Sequence, residues 1–133
     1  MATAVDALGA RLVSAGVTTA NRIYIGNRAV LPTGTSVAFL SLTATGGLEP
    51  VGTHNGGPTR YRRPTFQVVA RAGTYALAEA LALAAYAALA FQNATVSGVA
   101  FLRVRPLQEP FELPLDTDQR CRVAFNVIAE HAE

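Results

Sequence analysis

Tyr75 to Phe91 contains neither Gly nor Pro and is built mostly of Ala and Leu. These residues lose little on entering a helix, so a long helix here is the strongest local statement in the chain. Just before it, Thr65-Phe66-Gln67-Val68-Val69-Ala70-Arg71 alternates and is rich in β-formers. Ala72-Gly73-Thr74 breaks the pattern between the two. Thr74 or Gly73 can cap the first turn, whose backbone N–H groups lack intrahelical partners. Strand, turn and helix form one unit, and that unit reads as structural rather than chemical.

The 133 residues suffice for a single domain with its own core, and half of them are apolar. That composition excludes disorder of the chain as a whole. A formal charge of +2 is too small to imply nucleic-acid binding by itself, although every basic residue is Arg and none is Lys. The lone Cys121 permits no internal disulfide and no thiolate metal cluster, and its alternating apolar surroundings suggest a small buried thiol. The N-terminus lacks the pattern of a signal peptide. Tyr75–Phe91 is short for a membrane span, Ala-dominated, and carries Glu79. The expectation is a protein made in a cytoplasm, with no membrane partner.

Around the central unit the chain reads as follows. Ala2–Ala15 is an amphipathic helix with Val5, Leu8, Leu12 and Ala15 at helical spacing. Thr3 and Asp6 form a capping pair, and Gly16 is the stop. Ile23–Ile25 is a short strand, and Pro32-Thr33-Gly34 is a turn. Ser36–Thr43 is a strand apolar on both parities, as expected of one covered on two faces. Residues 43–64 hold five Gly and three Pro and read as a long loop, a kind that is usually functional. Gly98–Val104 is a strand, and Pro106, Pro110 and Pro114 keep the next segment extended. Arg120–Glu130 is the last strand, with Cys121, Val123, Phe125 and Val127 inward and Arg120, Arg122, Asn126 and Glu130 outward. The fold class is therefore α+β: a mostly antiparallel sheet with an N-terminal helix and one long central helix packed on it, in a single domain over 1–133.

On a helical wheel Tyr75, Glu79 and Tyr86 share one line, flanked by Ala82 and Ala90, while Leu77, Leu81, Ala84, Ala88 and Phe91 oppose them. The second set is expected to pack on the sheet. The first carries one charge and is dry for a solvent-facing surface, so Tyr75, Glu79, Ala82 and Tyr86 are the candidate subunit interface. Arg60-Tyr61-Arg62-Arg63 is the densest positive charge and could grip phosphates or pair with carboxylates of a neighbouring subunit.

Nothing in the chain reads as an active site. His54 and His131 have no partner at ligand or triad spacing. Asp116 and Asp118 suit a turn better than a calcium loop. No Gly-rich loop leads directly into a helix. The expectation is a protein that is not an enzyme and has no cofactor and no metal.

Tyr61-Arg62-Arg63-Pro64-Thr65-Phe66-Gln67-Val68-Val69-Ala70-Arg71 resembles the "RPxxQVxxR" strand of small tail-completion proteins of long-tailed bacteriophages. There too a Tyr and an Ala-rich helix follow, as here with Tyr75, Ala76 and Ala80. Thr45-Gly46-Gly47 after Ala38-Phe39-Leu40 resembles their "TGG" after an apolar strand. Pro110, Leu113, Asp116, Asp118, Arg120 and Phe125-Asn126-Val127 are similar to their "P…LG.D..GR…FN(F/V)" ending. Two departures stand out: Pro114-Leu115 where Leu-Gly is usual, and Gln119 where a turn Gly precedes the Arg.

The resemblance, to proteins called minor capsid protein and tail terminator, implies a structural virion protein at the head-proximal end of the tail. Such proteins form a homo-oligomeric, typically hexameric ring that caps the tail tube protein and offers a surface to the head-tail connector. Within that reading Tyr75, Glu79 and Tyr86 fall at the subunit contact. Arg60, Tyr61, Arg62 and Arg63, with the 43–64 loop, fall at the tube or in the lumen, with a passing contact with DNA. Two alternatives stay open: another neck or head-completion protein, and a small α+β nucleic-acid-binding module.

Overall fold

The computed structural model describes residues 3–18, 22–26, 38–52, 60–115 and 119–132, without the side chains of 49–52 and 60. The turn at 32–34, His54, Asp116 and Asp118 lie outside the described residues. Helix α1 spans Ala4–Ser14. Its capping box is formed: the Asp6 N–H donates to Thr3 Oγ1 at 3.3 Å, and the Thr3 N–H donates to Asp6 Oδ2 at 3.3 Å. Gly16 closes it with a φ of +78°, its N–H donating to the Val13 carbonyl at 3.0 Å. Ala7, Leu8 and Leu12 face the core.

Strands β1 (Ile23–Ile25), β2 (Phe39–Gly52) and β3 (Arg60–Ala72) precede helix α2 (Tyr75–Ala88). Strands β4 (Phe91–Val96), β5 (Val99–Pro106), β6 (Phe111–Leu113) and β7 (Cys121–Ala132) follow it. All described strands join one sheet in the order β1-β2-β3-β7-β5-β4, with β6 beside the first part of β7. Every pairing is antiparallel except β1 with β2. The protein is thus α+β, as its pattern implied. Phe39, Leu40, Ser41 and Leu42 are all buried, as the two-parity apolar run required of a strand with both faces covered.

Both helices pack on one sheet face. That core holds Leu8, Leu12, Leu40, Leu42, Phe66, Val68, Val123, Phe125 and Val127 together with Ala78, Ala82, Ala85 and Leu89 of α2. Tyr86 meets Phe125 edge to face at 5.6 Å, and Phe91 meets Phe101 in the same way at 5.6 Å. Arg11 ties the helices together: its Nε donates to the Ala88 carbonyl at 3.3 Å, and its guanidinium lies 4.8 Å over the Phe91 ring. The bond occupies a carbonyl in the last turn of α2, where intrahelical donors run out.

Four expectations are corrected. Residues 43–64 are not a loop throughout. Residues 43–52 continue β2 and 60–64 open β3, because the two segments pair from Thr43↔Gln67 to Gly52↔Arg60. Gly46 and Gly47 serve that ladder as a bulge: register shifts between Ala44 and Gly47, where Gly46 has φ +103° and Gly47 φ +150°. The packed face of α2 is only partly the leucine side: Leu81 and Ala88 lie half-buried against the core as expected, but the rest of that side does not. Leu77 is 58% exposed and Ala84 is exposed, while Ala78, Ala82, Ala85 and Leu89 are fully buried. Phe91 lies beyond the helix, in β4, and neither β4 nor β6 was read as a strand. Finally, Arg120 is only 4% exposed, because its guanidinium lies 4.8 Å over the buried Phe39 ring, which Arg71 also approaches, at 5.7 Å.

Candidate functional site

The outward side of α2 is made by Ala76, Leu77, Ala80, Leu83, Ala84 and Ala87, all exposed. It carries no charge and no hydrogen-bonding side chain. A helix face open to water normally carries both. Of the residues singled out by the wheel, Tyr75 is 43% exposed and Glu79 half-buried at one margin of this face. Tyr75 donates its hydroxyl to the Glu79 carboxylate, which is the main reason its phenol is held above the usual tyrosine value; the Glu79 and Glu112 charges add to the effect. Ala82 and Tyr86 turn inward, Ala82 into the core and Tyr86 onto Phe125. The wheel detected a dry helix but displaced its open face. Leu77 and Leu83 are the exposed residues it missed, since a helix of Ala and Leu offers little contrast between its sides.

The second feature is the arm made by the far part of β2 and the start of β3. Strand β1 reaches only Leu40 to Leu42 of β2. Beyond it, Thr43 to Leu48 are exposed. Thr45 and Thr65 share a hydroxyl–hydroxyl hydrogen bond of 2.9 Å across the arm. Strand alternation splits the arginine run between two faces. Arg62, opposite His131, falls on the helix side; Tyr61 and Arg63 fall on the other. The run is therefore not one cationic cluster.

On the helix side, the start of α1, the arm and the β4–β5 turn enclose an open groove of about 960 Å³. Val5, Ala44, Arg62, Phe66, Val99 and His131 are among its walls. The His131 ring stacks edge to face on Phe101 at 5.9 Å.

Among the described residues, no three His, Cys, Asp or Glu side chains gather in a way that could hold a metal. Cys121 is a half-buried free thiol. Among the described residues, no helix is long and apolar enough to cross a membrane. The surfaces that stand out are a dry helix face, a two-stranded arm and a groove.

No protein-family model matches the chain, and no curated protein matches it. Solved structures do. A chain in the virion of the native gene transfer agent (GTA) particle superimposes with a TM-score of 0.57 at 17% sequence identity. The match covers 92% of this chain and 84% of that one. At that identity the likeness establishes a shared fold.

Proposed function

We propose that this protein is a structural component of a phage-like virion, a tail terminator that closes the head-proximal end of the tail tube as a ring. The carrying observation is the fold shared over almost the whole chain with a protein of a virion particle. The resemblance of the Arg62–Arg71 strand, the Gly46-Gly47 turn and the Phe125-Asn126-Val127 ending to tail-completion proteins points the same way. In this reading the protein is not an enzyme. Its work is assembly with copies of itself, with the tail tube protein and with the head-tail connector.

The subunit contact in this proposal is the outward side of α2. Leu77 and Leu83 supply apolar area, the alanines allow close approach, and Tyr75 and Glu79 form its margin; Ala82 and Tyr86 support it from behind. The helix alone is about 21 Å long, at 1.5 Å per residue. That is too little for the roughly 800 Å² per partner of a stable interface, so the arm carrying Arg60, Tyr61, Arg62 and Arg63 shares in the contact with neighbour or tube. A contact between two different patches closes into a ring when its rotation allows.

Light scattering across a concentration series, with negative-stain images of the eluted peak, tests the proposal. A closed ring of about six copies is the expected result. Leu83→Arg is expected to yield a folded monomer. A wild-type protein that stays monomeric at every concentration and does not bind isolated tail tubes overturns the proposal.

A further inference from the structure

The sheet face turned away from the helices has a chemistry that the assembly does not use. Where strands pair antiparallel, directly opposed residues point to the same side. Thr43, Gln67 and Asn126 form one row across β2, β3 and β7. Thr65, Ile128 and Arg105 form the next across β3, β7 and β5. Arg103 faces Glu130 in the row after that. The pairings Arg62↔His131 and Thr65↔Ile128 place Arg63 across from Glu130 on its other side. This face thus combines buried Val69, Ala124 and Ile128 with arginines and uncharged hydrogen-bonding side chains around them. Glu130 is the single carboxylate among the described side chains of its strands.

The polar margin of this face is open. Arg105 and Thr43 are exposed, and the Arg103 side chain is 48% exposed. The Arg103–Glu130 contact is long, at 3.5 Å, and solvent-facing, so a stronger anion displaces it readily. Arg, Thr, Asn and Gln are the side chains that contact phosphate and sugar without reading bases. One polyanion meets several of them at once.

We propose that this face binds the phosphate backbone of DNA without sequence preference, with Arg103 and Arg105 as its principal anchors. The proposal rests on the sheet face alone and is independent of ring formation. Of the Arg60–Arg63 run, which the strand divides between two faces, it places Arg63 on this face and Arg62 on the other.

The test is fluorescence anisotropy of a labelled random-sequence duplex with the full chain, titrated with salt. Binding is expected at 50 mM salt and expected to weaken as salt rises. In the Arg103→Ala, Arg105→Ala double variant, two phosphate contacts are lost. Affinity should then fall about 12-fold less between 50 and 200 mM salt than in the wild type, from a slope of about 0.9 per contact. The double Lys variant is expected to keep the wild-type slope. Glu130→Gln is expected to bind several-fold more tightly, a gain that misfolding does not produce. Arg62→Ala, on the opposite face, is the control and should bind as the wild type. Absence of binding at 50 mM salt overturns the proposal. So does a folded double variant with the wild-type slope, or an Arg62→Ala variant as weak as the double variant.

Discussion

Gly47 lies so close to Pro64 across the β2–β3 ladder that a Cβ on Gly47 would stand 2.8 Å from Pro64 Cα and 2.6 Å from the Arg63 carbonyl oxygen. Both are backbone atoms and cannot swing aside. The bulge that lets β2 run on into the arm therefore depends on a residue without a side chain. Gly47→Ala is expected to destabilise the fold by about 2–3 kcal/mol, combining overpacking with backbone strain. Urea denaturation measures the loss; a midpoint equal to the wild type's contradicts it.

Gln119 takes a φ of +63°, at the position where the tail-completion pattern has glycine. An L-residue in the left-handed region costs about 1–2 kcal/mol, while glycine brings extra unfolded-state entropy of about 0.5–1 kcal/mol. The difference favours glycine. Gln119→Gly should stabilise the protein by about 0.5–1 kcal/mol, read as a melting temperature higher by a few degrees. A lower melting temperature would mean that the Gln side chain contributes contacts of its own.

Ala82 and Leu83 are neighbours in sequence with opposite surroundings, one fully buried against the sheet and one 46% exposed. Ala82→Leu forces extra volume into a packed core and should cost about 1–3 kcal/mol. Leu83→Ala in the isolated subunit should shift stability by no more than about 0.5 kcal/mol. Thermal melts of the two variants check the pair, and the reverse ranking would refute the packing described for α2.

Tyr75 should titrate above the usual tyrosine value, chiefly because its hydroxyl donates to Glu79. The folded pKa is raised, so the bond's contribution to stability is whole below the unfolded tyrosine pKa. It is lost as pH rises through the higher folded value. Ultraviolet titration of the wild type against Tyr75→Phe isolates the phenol. Glu79→Gln should move its midpoint back toward the ordinary value, and an unmoved midpoint would remove Glu79 as the cause.

Much of the architecture was legible in the chain because it rests on neighbours in sequence. The Thr3–Asp6 box, the Gly16 stop and the Thr74 cap each satisfy backbone groups within a few residues. The inward parity of Val123, Phe125 and Val127 follows from the two-residue period of a strand. Other features answer to distant partners. A Gly- and Pro-rich stretch reads as loop until Gln67 to Arg60 of β3 pair with it, and such pairing is invisible to local composition. Arg120 reads as exposed until the Phe39 ring, far away in sequence, takes its guanidinium.

By itself the sequence determined two helices and an α+β class, since helix propensity, capping and strand alternation act over a few residues. Tertiary structure alone decided which side of α2 is open. A helix of alanine and leucine presents nearly equal hydrophobicity all round, so its own pattern selects no face. Sheet volume makes the choice: large Phe125 and Val127 fill the space, so small Ala78, Ala82 and Ala85 fit against them and Leu77 and Leu83 are left outside. The candidate contact surface exists because of that exchange of large and small side chains across the helix–sheet boundary.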